Sequence, residues 1–206
     1  MISTIFILGL VIFILTVLVF YLQKEENKFI VINRLVFLTT TVSYAVMLAS
    51  LWVINSPYGE AVYPTRWLFY IISCGLLMYE IGVVLNKSNL QKMEMIILNT
   101  FVMFTGFLAS IIAGPFKWIF FLISCLAFIL ILMIIYQSAG KEKEIMKNVR
   151  IYITATWVLF PIVWFLAPTG FGLIGAFAAA SMYLLLDIIT KIVFSCYLIY
   201  SVQSKK

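Results

Sequence analysis

Seven long apolar runs, separated by six short polar connections, dominate the sequence. Each run is long enough to cross the hydrocarbon core of a bilayer, which takes roughly 20 residues of helix. The short alternating segments that are typical of a membrane β-barrel do not occur in the sequence. The sequence therefore predicts an all-α integral membrane protein in which residues 1–206 form a single seven-helix transmembrane domain. The predicted helices are A (5–22), B (29–53), C (65–85), D (93–113), E (116–136), F (149–166) and G (173–200).

The composition agrees with this pattern, since 65% of the 206 residues are hydrophobic, only 11% are charged, and the mean hydropathy is +1.14. The formal net charge of +6 arises mostly from short loops, so it indicates orientation and lipid contact rather than nucleic-acid binding. The chain has no histidine, the commonest metal ligand and usual general base, so we expect neither a metal site nor an enzyme. Three cysteines within apolar runs, without CxxC spacing, are expected to be small buried residues.

Lysine and arginine in the connections predict the orientation in the membrane. The segments "QKEENK", "NKSNLQK" and "GKEKEIMKNVR" and the tail "QSKK" hold ten of the 14 basic residues. The connections on the opposite side contain only Lys117. Because cytoplasmic loops are enriched in basic residues, we expect a multi-pass protein of the cell membrane, with the N-terminus outside and the C-terminus in the cytoplasm. The first run, 2–22, has no basic start and no cleavage site, so we interpret it as a spanning helix rather than a signal peptide.

Five charged residues fall within or at the edge of the predicted spans, where charge is costly and usually marks function. Arg34 and Glu80 lie toward the predicted cytoplasmic ends of their helices and are expected to snorkel to water, and Arg66 can do the same at the outer end of helix C. Asp187, the only aspartate in the chain, and Lys191 lie near the middle of helix G. Their spacing of four residues places them on one helix face.

Two interpretations of this pair remain open from the residues alone. Asp187 and Lys191 could form a simple ion pair in a seven-helix scaffold or receptor without a cofactor. Alternatively, a desolvated lysine is a nucleophile that forms a Schiff base with a carbonyl compound, and Asp187 would then be the counter-ion of the protonated Schiff base. A Schiff-base enzyme would need further acid–base groups that the sequence lacks.

Helix F carries an aromatic face close to this pair in the predicted bundle. Trp157, Phe160 and Trp164 recur at spacings of three and four in "TWVLFPIVWF" and therefore share one side of the helix. Such a face is often simply part of the core, but it also suits a flat-walled slot beside a lysine. Pro161 removes a backbone hydrogen bond in mid-helix and is expected to kink helix F.

Together these motifs resemble those of the microbial (type I) rhodopsins, seven-helix proteins that carry retinal on a lysine of helix G. The resemblance covers nearly the whole chain, and "LDIITK" is its most specific part; "TWVLFPIVWF" fits the family pattern W-x-x-[YF]-P-x-x-W, and "RWLF" fits the family's x-W-L-F. It implies a pocket in the bundle centre with all-trans retinal bound covalently to Lys191 and Asp187 as counter-ion. The other retinal-contacting residues that it implies are Tyr44, Trp67, Tyr70, Asn99, Gly106, Phe121, Phe128, Trp157, Phe160 and Trp164.

Helix C departs from the pattern of proton-pumping members, which have an arginine followed three residues later by an acceptor carboxylate, just before a tryptophan. The alignment on "YPTRW" places Tyr63 at the arginine position, Arg66 at the carboxylate position and Leu77 at the cytoplasmic proton-donor position. If Arg66 instead takes the arginine position, Trp67 loses its match and Phe69 occupies the carboxylate position. Both alignments predict a divergent member without the helix-C proton acceptor.

Arg66 is therefore expected to tune the site by competing with the Schiff base for Asp187. If Asp187 pairs mainly with Arg66, the Schiff base is neutral and the pigment absorbs in the near ultraviolet. If Arg66 turns outward or recruits chloride, the Schiff base stays protonated and the pigment absorbs visible light. Arg34 is a second candidate for electrostatic tuning, from the cytoplasmic side.

The resemblance and its departures lead to a functional prediction. We expect a retinal-binding light-responsive protein, a sensory photoreceptor or photoswitch rather than a conventional outward proton pump, because isomerisation needs no proton relay. The alternative is a light-driven ion transporter, either an anion pump or channel or an unconventional proton pump. The expected partners are the lipid bilayer, further copies of the chain in a trimer or pentamer, and a signalling protein, but no nucleic acid.

Overall fold

In a computed structural model of the chain, which describes residues 2–23, 27–137 and 143–203, seven helical segments are long and apolar enough to span a membrane. They confirm the predicted all-α seven-helix architecture. Lys24, Lys141, Lys205 and Lys206, on which part of the predicted orientation rests, lie outside the described residues. The helices are α1 (Ile2–Leu22), α2 (Lys28–Leu48), α3 (Pro64–Val84), α4 (Asn89–Ile111), α5 (Phe116–Tyr136), α6 (Glu144–Trp157), α7 (Leu159–Leu166), α8 (Ala176–Asp187) and α9 (Phe194–Gln203).

Local sequence signals fix where several of these helices begin. The Asn27 side chain accepts a hydrogen bond from the backbone N–H of Phe29 at the start of α2. Ser88 and Gln91 form a capping box at the start of α4, in which each side chain accepts a hydrogen bond from the other residue's backbone N–H. Pro64 occupies the first turn of α3, where its missing N–H costs no helical hydrogen bond.

Helix B ends earlier than predicted, at Leu48 rather than residue 53. Ser50 adopts a left-handed backbone conformation with φ of 50°, and its N–H bonds to the carbonyl of Met47, which closes the helix. The apolar residues 51–53 are exposed beyond this turn. Hydropathy alone extended the predicted helix over them, because it does not register a change of backbone conformation.

A short hairpin that the sequence did not predict follows this turn. Strands β1 (Ile54–Asn55) and β2 (Ala61–Val62) pair in antiparallel fashion, and Gly59 takes a positive φ of 77° in the connecting turn. We call this side of the bundle, with the α4–α5 and α7–α8 connections, the hairpin end. The opposite side, with the α1–α2, α3–α4 and α5–α6 connections, is the basic end.

Lys117, expected in a connection at the hairpin end, instead lies in the first turn of α5 and is buried. Its ammonium group donates to the carbonyls of Thr169 and Gly170, at 3.0 and 2.7 Å, and lies 3.9 Å from the ring centroid of Tyr58. Tyr58 belongs to the turn between β1 and β2. Lys117 therefore joins α5, the hairpin and the α7–α8 connection.

The sixth and seventh spans are each interrupted. In the sixth, α6 and α7 are separated at Val158, three residues before the proline that was predicted to cause a kink. The interruption falls there because Pro161 has no N–H for the carbonyl of Trp157 and its ring crowds that carbonyl. In the seventh, a π-helical turn formed by Ile188–Val193, hereafter the π-turn, separates α8 from α9.

Apolar side chains fill the centre of the bundle and cover its outside. Phe13, Phe37 and Phe194 are fully buried in the core, whereas the outer faces of α1 and α5 expose large apolar residues, as lipid contact requires. Cys74 is buried as predicted, but Cys196 is exposed on α9, so the expectation that all three cysteines are buried was wrong.

Candidate functional site

Lys191 and Asp187 form a buried ion pair at the centre of the bundle. The ammonium nitrogen of Lys191 lies 2.7 Å from Oδ1 of Asp187, and the two side chains are only 1% and 0% exposed. Asp187 ends α8 and Lys191 lies within the π-turn, so the two residues span the start of that turn. Two charges that have left water need each other and further hydrogen bonds to offset the desolvation cost.

The second carboxylate oxygen of Asp187 receives those hydrogen bonds from two tyrosines. The hydroxyls of Tyr44 on α2 and Tyr70 on α3 donate to Oδ2, at 2.8 and 2.6 Å. With Lys191 on Oδ1, Asp187 accepts hydrogen bonds from three different helical segments. These hydrogen bonds, together with the ion pair, offset part of the cost of burying the Asp187 carboxylate.

An apolar cavity adjoins this pair and extends among α3, α4, α5, α7 and α8. Tyr70 connects the two, since its ring lines the cavity and its centroid lies 4.0 Å from the Lys191 nitrogen. The cavity brings together nearly all the residues that the resemblance assigned to a chromophore pocket. Those that line it are Trp67, Tyr70, Asn99, Gly106, Phe121, Phe128, Trp157, Phe160 and Trp164. Tyr44 contacts Asp187 instead.

Stacked aromatic rings form the far wall of the cavity. The rings of Trp164 and Phe121 lie nearly parallel, with centroids 4.4 Å apart. The indole N–H of Trp164 donates to Ser110 Oγ at 2.8 Å, which fixes the plane of the ring. Ser110 was missed in the sequence because a single serine in an apolar run carries no spacing signal.

Arg66 lies beside aromatic rings rather than against the carboxylate. Its guanidinium carbon is 5.0 Å from the ring centroid of Tyr183 and 6.0 Å from that of Phe6, as in cation–π contacts. Within the described ranges, the salt bridge of Asp187 is with Lys191. The competition for Asp187 that we expected from Arg66 is therefore not realised as an ion pair, since Asp187 pairs with Lys191.

The geometry also favours the shifted alignment of helix C. Tyr70, and not Trp67, lies over the Lys191 nitrogen, whereas Trp67 packs toward Gly106 on α4. A Cβ on Gly106 would meet the Trp67 ring at 2.9 Å, so glycine makes room for that indole. Arg66 then takes the arginine position. The same shift of three residues moves the cytoplasmic proton-donor position from Leu77 to Glu80.

Glu80 is the largest departure from the sequence prediction. It was expected to snorkel, but its side chain is 0% exposed. Oε1 accepts a hydrogen bond from Asn33 Nδ2 at 2.8 Å, and Asn33 Oδ1 accepts one from Ser195 on α9. Oε2 has no hydrogen-bond partner among the described residues. The prediction failed because snorkelling depends on the direction in which a helix face points, which hydropathy does not record.

This polar cluster of Asn33, Glu80 and Ser195 lies on the basic side of the ion pair. Glu80 follows Tyr70 by ten residues, or about 15 Å of helix, and precedes the end of α3 by only four. Ser195 follows Lys191 by four residues on the way to the basic end. The bundle therefore buries one carboxylate beside the lysine and a second between the lysine and the basic end.

Arg34 does not reach this region. Its guanidinium group donates to the carbonyls of Phe20 and Gln23 at the end of α1, both at 2.9 Å. This position agrees with the expected snorkelling and does not favour the suggested tuning of the lysine from the cytoplasmic side.

The fold and site define a class of protein: a seven-helix membrane protein with a buried lysine–carboxylate pair beside an aromatic cavity. Residues 1–205 match the family model described as bacteriorhodopsin-like protein. The chain belongs to the microbial rhodopsin family, whose members bind retinal covalently through a lysine and respond to light.

Individual relatives agree with this assignment. The chain is 26% identical over 193 residues to bacteriorhodopsin-II of Haloarcula marismortui, covering 87% of this chain and 77% of the relative. It is 24% identical over 162 residues to sensory rhodopsin-2 of Haloarcula vallismortis, covering 74% and 68%. Among solved structures, schizorhodopsin 4 is 38% identical with a TM-score of 0.88, covering 98% of this chain and 100% of that one. Thermophilic rhodopsin from Rubrobacter xylanophilus, 22% identical with a TM-score of 0.89, shares the fold over 98% of this chain and 96% of its own.

The residues present fit retinal. A buried primary amine, next to a carboxylate that can balance a positive charge, is suited to a covalent bond with an aldehyde. The cavity that starts at Tyr70 has predominantly apolar and aromatic walls, which suits a polyene. The buried indole nitrogen of Trp157, in the cavity lining, has no hydrogen-bond partner in the part of the chain that is described, so that wall offers a polar group as well.

Proposed function

We propose that this protein is a light-driven proton transporter that moves protons from the hairpin end to the basic end. Retinal attached to Lys191 would supply the light absorption and the change of shape. The observation that carries the proposal is the placement of Glu80, a buried carboxylate with one open oxygen, between Lys191 and the basic end. The loop charges predict that the basic end faces the cytoplasm, so transport would be inward.

Asp187 would act as a fixed counter-ion. Its two oxygens are held by Lys191, Tyr44 and Tyr70. To accept a proton, it would have to give up an ion pair and two hydrogen bonds that favour its charge. Phe69 takes the helix-C acceptor position in the alignment that the geometry favours. A proton leaving the Lys191 nitrogen toward the hairpin end would therefore meet no acceptor at the usual place.

Glu80 would act as the proton relay on the other side. A carboxylate buried without a cation is costly in ionised form, so Glu80 is expected to hold a proton at rest. Glu80 would release this proton to the basic end, and its carboxylate would then take the proton that leaves Lys191. With Oε1 bonded to Asn33, Oε2 is the atom that can exchange a proton. Ser195, bonded to Asn33, links this network to the lysine helix. Replacement of the proton on Lys191 would come from the hairpin end, where Glu60 and Arg66 line the cavity.

Light-induced pH changes in a suspension of expressing cells test this proposal. Wild type with all-trans retinal should alkalinise the medium on illumination, and a protonophore should abolish the signal. Glu80→Gln should keep the pigment but lose most of the transport, whereas Lys191→Ala should form no pigment. Acidification of the medium, or full transport by Glu80→Gln, would contradict the proposed path.

A light sensor is the second candidate, and the missing helix-C acceptor favours it. Light-driven isomerisation next to Lys191 needs only the aromatic cavity and the counter-ion. A photocycle without any light-induced pH change or ionic current would support the sensor and reject the transporter. The predicted chloride near Arg66, the homo-oligomer, the signalling partner and the absence of enzymatic activity stay predictions.

A further inference from the structure

A tyrosine on α6 holds the backbone of the π-turn. The hydroxyl of Tyr152 donates to the carbonyl oxygen of Ile189 at 2.7 Å. The same oxygen accepts the backbone N–H of Phe194, five residues further on, which is the hydrogen bond that defines a π-type turn. The ring of Tyr152 also stacks on that of Phe194, with centroids 5.5 Å apart and planes at 26°. Tyr152 thus contacts both the acceptor and the donor residue of this hydrogen bond.

The π-turn determines which way the surrounding side chains face. A π-turn inserts about one extra residue into an α-helix, which rotates everything beyond it by about 100°. Lys191 lies between Ile189 and Phe194, inside the π-turn, and Ser195 lies two residues beyond the end of that turn. Conversion of the turn to regular α-helix would rotate Ser195 away from Asn33.

We propose that Tyr152 is a positioning residue that maintains the π-turn and thereby the orientation of Lys191. An i→i+5 turn is rare within an α-helix and persists where other contacts favour it. The contact of Tyr152 comes from a different span, so it is independent of the local sequence "LDIITK". The proposal rests on the attachment of retinal to Lys191.

The chain offers a matched control for the hydroxyl group. Tyr197 stacks on Tyr152 with nearly parallel planes, at 9°, and a centroid distance of 6.4 Å. Its ring therefore belongs to the same aromatic cluster, while the bond to Ile189 comes from Tyr152. Tyr152→Phe removes one oxygen atom and keeps the stacked ring, so the variant should fold. Tyr197→Phe makes the same chemical change on the neighbouring ring of that cluster.

The experiment compares wild type, Tyr152→Phe and Tyr197→Phe, each reconstituted with all-trans retinal. The readouts are the absorption maximum, the thermal recovery after a flash, and the melting temperature. In Tyr152→Phe, recovery should slow about fivefold, the equivalent of about 1 kcal/mol for a neutral hydrogen bond that re-forms in the rate-limiting step of recovery. The absorption maximum should shift, because the nitrogen of Lys191 moves relative to Asp187. Tyr197→Phe should match wild type in both.

The outcomes distinguish a failure of the positioning role of Tyr152 from a failure of the attachment of retinal to Lys191. Equal recovery times and absorption maxima in the two variants would overturn the positioning role, even if Tyr152→Phe melted at a lower temperature, since that would be a structural effect alone. Absence of pigment in wild type, or pigment in Lys191→Ala, would instead reject the attachment site.

Discussion

The two tyrosine hydrogen bonds to Asp187 lead to a quantitative prediction: the effects of removing them should not be additive. Tyr44 and Tyr70 donate to the same oxygen of Asp187, so either tyrosine alone can still satisfy it. Replacing one tyrosine by phenylalanine should therefore be tolerated better than its short hydrogen bond suggests. Replacing both leaves Oδ2 of a fully buried, ionised carboxylate without these donors. The double variant should lose more stability than the two single variants combined.

The expected loss of stability has two parts: the lost hydrogen bond itself and, in the double variant, the cost of an unsatisfied buried oxygen. Hydrogen bonds to charged groups contribute about 1.5–3 kcal/mol in soluble proteins, but hydrogen bonds within a membrane protein average about 0.6 and reach about 1.7 kcal/mol. We expect each single variant to lose about 1 kcal/mol. An unsatisfied buried acceptor adds about 1–3 kcal/mol, so the coupling free energy should be at least about 1 kcal/mol.

Unfolding in mixed detergent–denaturant micelles, followed by helical circular dichroism, measures the three free energies. Tyr58→Phe serves as the control, because the hydroxyl of Tyr58 donates to the carbonyl of Ile112 at the hairpin end rather than to Asp187. It should be additive with either tyrosine variant to within about 0.5 kcal/mol. Additivity of Tyr44→Phe and Tyr70→Phe within that same margin would refute the shared-oxygen geometry or the ionised state of Asp187.

Two further substitutions test the cavity wall and the basic end. Gly106→Ala should force the Trp67 ring to move and should slow pigment formation from added retinal. Gly75→Ala is the control and should not slow it, because its new methyl group meets its nearest neighbour at 3.7 Å. Equal rates of pigment formation in the two variants would contradict this prediction. Burial lowers the pKa of Lys87, so the folded protein binds that proton more weakly than the unfolded chain does. The melting temperature of wild type should therefore rise relative to that of Lys87→Gln as the pH increases toward about 10, the ordinary pKa of lysine. A constant difference would contradict this prediction.

The seven spans could be predicted from the sequence because length and hydropathy are local properties. Helix E was predicted at its observed bounds, and the start of helix C was off by one residue. The end of helix B was wrong because a left-handed Ser50, rather than a change in polarity, ends it. The hairpin beyond it rests on backbone pairing of two-residue strands, which leave no hydrophobic period to detect.

The candidate site was predictable only in part. The spacing of Asp187 and Lys191 brought them together on one helix, and the resemblance supplied nine of the residues that line the cavity. The contacts that other helices make with Asp187, Lys191 and Glu80 could not be predicted from the sequence, because they depend on how each helix is rotated about its axis. Tyr70 over the lysine and Glu80 facing Asn33 both follow from that rotation of α3. The π-turn was also missed, since its residues suit an α-helix equally well.

The choice between sensing and transport depends on what a second buried carboxylate is for. Asp187 is already committed, with three donors on its two oxygens. Burying Glu80 costs free energy, and the hydrogen bond from Asn33 offsets only part of that cost. Light-driven isomerisation without proton transfer does not need this second carboxylate. A proton that leaves Lys191 toward the basic end needs an acceptor on that side of the lysine. Glu80 can provide it, because one of its oxygens is bonded to Asn33 and the other has no hydrogen-bond partner among the described residues. The cost of burying Glu80 is therefore the physical reason to favour proton transport over a purely sensory photocycle.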